Sequence, residues 1–346
     1  MSGDGSGTRM RPALLWSGIG ILLVVSFLAA LGAVQRAFYS PSGFVTAYVE
    51  ALAAHDLGAA LSMPGADPTP AALKQAQLPE DASHELLRSD VLPRLTDISV
   101  RSDRELSGGE HRVTVHALAD GRPVTAAFTV RPAASVLGVL TTWEFASVPL
   151  TVARITVAHA DTFTIGAHTV YPRAAAPDQP SSAFSVAADY LLFAPGRYEL
   201  GHSSRYLHAD PAVVSGSPGR STEAVVDAEP TDAFTQAVQT QLNGFLDDCA
   251  KQQVLQPAGC PFGVEIDDRV QGMPSWTMVT YPAVHLTAGA TTWTMDQAVG
   301  VAHLSVTVQS LFDGTVRQRE SDEKFAVSLS SVTIRPDGSL DIVVAD

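Results

Sequence analysis

The longest apolar run in the chain extends from Pro12 to Val34, 23 residues without a charge. As a helix rising 1.5 Å per residue it would span about 34 Å, enough for a hydrocarbon core of about 30 Å. Trp16, Leu22, Leu23, Phe27 and Leu28 would contact lipid, with Phe38 and Tyr39 just beyond the far end. Arg9 and Arg11 precede the run and Arg36 follows it, a bias that puts the N-terminus inside. The pattern therefore predicts a cytoplasmic stub over 1–11 and a transmembrane helix over 12–34. A cleaved signal peptide is the alternative, with Ala30-Leu31-Gly32 as a small-x-small site, although the run exceeds the usual apolar length of such peptides.

Beyond residue 40 the period of the pattern changes repeatedly. Phe44, Val45, Tyr48, Val49 and Leu52 mark one face of a helix, and a second helix is expected within 71–92. Period-two segments follow around Ile98–Val100, Val113–Val115, Val124–Val130 and Trp143–Val148, separated by Ser107-Gly108-Gly109 and Asp120-Gly121 turns. These elements define a first block over 41–150. The second, 151–229, reads as strands throughout, with a tight turn at Pro195-Gly196, and predicts a small β-sandwich. The third, 230–346, opens with a helix whose stripe is Phe234, Val238, Leu242, Phe245 and Cys249. Strands follow over Thr277–Leu286, over Leu304, Val306, Val308 and Phe312, over Phe325, Val327 and Leu329, and in a Val332–Ile334/Leu340–Val344 hairpin. The expected fold class is α+β: two helix-plus-antiparallel-sheet domains flanking a small all-β domain, behind an N-terminal transmembrane helix. The helix stripe is expected to face Val306, Val308, Val327 and Leu329.

Composition narrows the function classes. Hydrophobic residues are 46% and charged ones 17%, which excludes a disordered chain. The net charge of −14 argues against nucleic acid as a partner, because phosphates call for a basic face. Nineteen Arg against three Lys point to a G+C-rich genome. Cys249 and Cys260, with the Gln256–Gly259 turn between them, are expected to form a structural disulfide in an oxidising compartment. Their spacing is not that of a redox Cys-x-x-Cys pair, and neither has a neighbouring His to suggest a metal site.

The segment Phe44-Val45-Thr46-Ala47-Tyr48-Val49-Glu50-Ala51-Leu52-Ala53-Ala54-His55-Asp56 and the strand Trp143-Glu144-Phe145 resemble NTF2-like (cystatin-like α+β) domains. The wider arrangement resembles single-pass envelope proteins of actinobacteria, and Pro195-Gly196-Arg197-Tyr198 is similar to a hairpin of surface-associated β modules. The resemblance implies a plasma-membrane protein with its bulk outside, whose partners are the bilayer through the anchor helix and a cell-wall component or membrane protein. An NTF2-like cone housing an acid/base pair would draw on Tyr48, Asp56 and Glu144.

Complete catalytic motifs are lacking. His84-Glu85-Leu86-Leu87-Arg88 has Arg where a zinc helix needs its second His, and Gly201-His202-Ser203-Ser204-Arg205 has Arg where a nucleophile elbow needs Gly. Asp247, Asp248, Glu265, Asp267 and Asp268 gather near the cysteines without EF-hand spacing. His285 and His303 fall at or in strands, where a structural role is expected. No cofactor and no catalytic or metal site is expected. The function expected is a non-catalytic binding or sensing module at the cell envelope. The alternatives are a structural spacer or assembly partner of a membrane complex and an NTF2-like enzyme. No Tyr48–Asp56 or Glu144–His116 contact is expected in an enclosed pocket.

Overall fold

Ser40 starts the first helix: its Oγ accepts the Gly43 N–H at 2.9 Å, and Pro41 occupies the first helical turn, where its missing N–H costs nothing. This helix, α1 (Pro41–Ala53), buries Val45, Tyr48, Val49 and Leu52. The computed structural model describes residues 39–136 and 140–345, together with Ile19, Leu22, Leu23, Val25 and Ser26. Two short helices follow, α2 (Leu57–Ser62), capped by Asp56, and α3 (Pro70–Gln75), capped by Thr69. All three lie by an antiparallel meander of β1 (Leu95–Glu105), β2 (His111–Ala119), β3 (Arg122–Val136) and β4 (Leu140–Phe145). Val113, Val115, Phe128, Val130 and Phe145 meet the α1 face in one core.

The second helix expected within 71–92 is only the six residues of α3. Gln77 takes a positive φ of 59°, and Pro79 keeps Leu78 out of the helical region. From there to Pro93 the chain runs as an irregular strap. Leu78, Ala82 and Leu92 enter the first core, while Leu86 and Val91 enter the next one.

That next core belongs to a seven-stranded sheet of order β7-β6-β9-β10-β11-β5-β8. Its strands are β5 (Leu150–Ala158), β6 (Phe163–Ile165), β7 (His168–Val170), β8 (Ser185–Phe193), β9 (Gly196–Ser203), β10 (Leu207–Gly216) and β11 (Arg220–Pro230), with the four-residue helix α4 (Pro172–Ala175) before β8. β11 pairs with β10 at its C-terminal end and in parallel with β5 over residues 220–227, so the sheet folds over on itself. Ala153, Ile155, Val157, Ala188, Tyr190 and Leu192 pack opposite Phe163, Ile165, Tyr198, Leu200 and Val214. The opposite faces of the same two strands serve the first core: Leu150 pairs with Phe193 and Val152 with Leu191, and all four belong to it. The middle sheet is thus buried on both sides at β5–β8. Ser83 of the strap pairs with the outer edge of β8, its N–H donating to Asp189 O and its carbonyl accepting from Leu191 N.

Helix α5 (Asp232–Ala250) opens the third block, with Thr231 as cap. Its buried stripe is Phe234, Val238, Leu242, Leu246 and Cys249; Phe245, expected in that stripe, is only partly buried. The stripe shares a core with Val306, Val308, Val327 and Leu329. The sheet is dominated by two long strands, β15 (Trp293–Gln309) and β16 (Val316–Ile334), with β17 (Leu340–Val344) on one side. Along the other edge of β15 lie β12 (Arg269–Val270), β13 (Ser275–Thr280) and β14 (Leu286–Ala288) in turn. The strand expected over Thr277–Leu286 is therefore two strands. Phe312, expected on a strand, sits in the β15–β16 turn and is 99% exposed.

Two expectations are corrected. Strand accounts for 47% of the described residues and helix for 18%, so the molecule is mostly β rather than an α+β pair of NTF2-like domains. The physical reason is that each end block has one substantial helix, while the middle block and the 17- and 19-residue strands of the third carry the rest. The predicted anchor lies almost wholly outside the described residues: Leu22 and Leu23 are described, in helical conformation, and Trp16, Phe27 and Leu28 are not. Among the described residues no helix is long and apolar enough to cross a membrane. The longest, α5, has Gln236, Gln239, Gln241, Asp247 and Asp248 on its polar side. The single-pass plasma-membrane reading is withdrawn on that finding.

The Cys249–Cys260 disulfide is formed, with a Cα–Cα distance of 5.8 Å, and ties the end of α5 to the loop before β12. Closing so short a loop contributes about 3 kcal/mol in the chain-entropy account. Reduction is therefore expected to lower the unfolding free energy of the third block by about that amount. Hydrogen exchange in α5 before and after reduction measures it, and unchanged protection would refute the structural role.

Candidate functional site

The groups proposed for an acid/base pair in the first block are each taken up by the fold. Tyr48 is fully buried, and its hydroxyl donates to Pro149 O at 3.1 Å between the rings of Phe128 and Phe145. Burial pushes its hydroxyl well above the ordinary tyrosine range, so it stays protonated. Asp56 caps α2 through the Ala59 N–H, Glu144 accepts from Arg131 Nε at 2.6 Å, and His116 Nδ1 lies 3.3 Å from Thr125 Oγ1. Close acid–histidine pairs do occur. His111 and His303 lie 2.7 Å from Asp103 and Asp322, each across two neighbouring strands on an open face. Ser42 Oγ donates to Asp103 and not to His111, so the three side chains do not form a serine–histidine–carboxylate relay.

The near-motifs are likewise structural. Arg88 holds Asp90 through two hydrogen bonds of 2.9 and 3.1 Å, and the His84–Arg88 segment is not helical. His202 Nδ1 contacts Thr162 O, and Arg205 stacks on Tyr206. Of the acidic group near the disulfide, Asp247 accepts from Tyr281, Asp248 from Lys251 and Asp268 from Arg317. Among the described residues no group of three or more acidic, His or Cys side chains could hold a metal ion.

A cleft forms where the strap, the first sheet and the middle sheet meet. It measures about 570 Å³. One wall is the strap end, Asp90 to Pro93. A second is the β2–β3 turn, where Asp120 and Gly121 both take positive φ and so aim Arg122 at the opening. The third is the β6–β7 turn with Ile165 and Gly166, and the fourth is the start of β9 with Arg197, Tyr198 and Glu199. A Cβ on Gly166 would stand 3.3 Å from Asp90 O, with φ already at +57°, so glycine is what permits this turn to approach the strap. Asp120 fixes the opposite corner: its Oδ1 accepts the Arg94 N–H at 3.0 Å, and its own N–H donates to Arg94 O.

The cleft is lined by charges of unequal engagement. Asp90 is held by Arg88, Asp120 by the Arg94 N–H, and Glu199 by Arg197 at 2.5 Å. Hydrogen bonds and nearby guanidinium groups keep Asp90 and Glu199 below the ordinary carboxylate range, so both stay ionised well into acid. For Glu199 the larger effect is Arg197, and Arg122 adds to it from across the cleft. Arg122 itself forms no hydrogen bond or ion pair among the described residues. Behind the strap, His168 lies 3.8 Å from Glu85 and 4.0 Å from Asp90, and Tyr190 is buried with its hydroxyl unpartnered among the described residues.

No protein-family model matches the sequence, and neither curated proteins nor solved structures give a match. The site is therefore read from its own geometry. Along the chain Asp120 is marked only as a turn residue and Arg197 only within the Pro195-Gly196-Arg197-Tyr198 hairpin resemblance, and neither as a site; Arg122 and Arg197 share a signal, since each follows the glycine of a marked turn, Asp120-Gly121 and Pro195-Gly196.

Proposed function

We propose that the protein is a non-catalytic binding module whose ligand occupies the cleft between the strap, the β2–β3 turn and the start of β9. The observation that carries this reading is the construction of that cleft: four segments from two layers converge on it, each held by its own hydrogen bonds and by the shared cores. A pre-formed concavity at a junction of layers is where small ligands commonly bind. Support for a role without catalysis comes from Tyr48, Asp56 and Glu144, each of which has a structural partner that accounts for it. The disulfide supports a working environment in which such bonds persist.

The test is a thermal-shift screen of a diverse small-molecule set on the full chain and on Glu199→Trp, an exposed rim position. Ligands of the cleft are expected to raise the Tm of the natural protein and to lose that effect when the indole fills the mouth. Compounds that stabilise both proteins equally, or a set that stabilises neither, would overturn the reading.

A further inference from the structure

We infer that the cleft selects an anionic ligand: a small molecule whose carboxylate or phosphate pairs with Arg122. This rests on the cleft being the binding site and names the chemistry it takes. The argument is one of unspent charge. Every carboxylate in the lining already accepts a hydrogen bond from the chain: Asp90 from Arg88, Asp120 from the Arg94 N–H, Glu199 from Arg197. An incoming cation would have to compete with those partners. Arg122 is the one charged lining group without such a partner among the described residues. Its guanidinium offers a planar fork that matches a carboxylate or phosphate in two parallel hydrogen bonds.

Position supports the same reading. Arg122 begins β3 directly after the Asp120-Gly121 turn, and its register partner is Ala119, so its backbone is fixed by the ladder while its side chain stays free to close on a ligand. Arg197 lies on another wall, with its side chain 22% exposed. It can share an anion with Arg122 once Glu199 gives way.

The experiment uses matched probes on the full chain: benzoate against benzamide, hexanoate against hexanamide, and phenyl phosphate against phenol. Binding is followed by amide chemical shifts in two-dimensional NMR. Saturable shifts at Val91, Ala119, Ile165 and Glu199 are expected from the acids, with each neutral partner at least about 10-fold weaker, the factor expected of a charge-assisted fork. Arg122→Gln is expected to erase that preference without changing the Tm, since the side chain supports nothing in the fold. Glu199→Gln is expected to tighten the acids a few-fold by releasing Arg197. Phenyl phosphate binding with no response to benzoate or hexanoate would narrow the class to phosphates within the proposal. Neutral and acidic partners binding alike in the cleft, or Arg122→Gln leaving the preference intact, would overturn the anion while sparing the binding site. Shifts from no probe, or shifts confined to other surfaces, would overturn both.

Discussion

Phe193→Ala is expected to lower the unfolding free energy by about 3–5 kcal/mol, the range for deleting a buried aromatic ring. The loss should be felt in two layers at once. The ring is 1% exposed and belongs to the core under α1, although the residue ends a strand of the middle sheet. Its carbonyl accepts the buried Tyr198 hydroxyl at 2.8 Å, and Tyr198 packs in the other core and lines the cleft. Phe193 also pairs with Leu150, which stands beside it in the first core. A cavity here should release the first core and let the Phe193–Tyr198 corner drift. Hydrogen exchange checks this residue by residue: protection at Val115, in the first core, and at Ile155, in the core of the middle sheet, should fall together. If only Val115 loses protection, the two cores unfold independently, and a boundary near residue 150 divides folding units.

That shared core explains what the sequence conceals. Leu150, Val152, Ala153, Ile155 and Val157 place apolar side chains on both faces of β5, as expected of a strand buried on both faces. The pattern cannot say that the second face belongs to the preceding block. Helices were legible where their stripes were clean: Val45, Tyr48, Val49 and Leu52 on α1, Phe234, Val238 and Leu242 on α5. Further along α5 either Phe245 or Leu246 continues a helical face, since steps of three and four both do, and only the direction of the sheet selects Leu246. The strap misleads because Ala, Leu and Glu favour a helix, whereas Pro79 and the pairing of Ser83 with β8 prevent one. The disulfide was legible from two cysteines and a turn. The cleft was not, because its walls are drawn from residues 90–93, 119–122, 165–166 and 197–199, and only tertiary packing brings them together.

The loop before the strap makes the same point with a single atom. Gly65 lies between α2 and α3 with φ at +77°, in the left-handed region that glycine occupies without cost. A Cβ there would stand 2.4 Å from Phe145 O and 2.9 Å from Phe145 N. Those are backbone atoms of β4, and neither can swing aside as a side-chain tip could. The neighbouring Phe145 N–H donates to Pro64 O at 2.9 Å, so relieving the overlap means breaking the bond that docks this loop on the sheet. The Phe145 ring is buried against Phe44, Tyr48 and Phe128, and moving its backbone disturbs the aromatic centre of the first core. Left-handed strain and overpacking each cost about 1–3 kcal/mol, so Gly65→Ala is expected to destabilise by roughly 2–6 kcal/mol. Gly121, also at positive φ but with open space around its would-be Cβ, is the control. Gly121→Ala is expected to cost only about 1–2 kcal/mol, the backbone part alone. Denaturant unfolding of the two variants separates the contributions. Equal losses would mean that the contact with Phe145 carries no weight, and that α1 alone, rather than the docked loop, holds β4 in place.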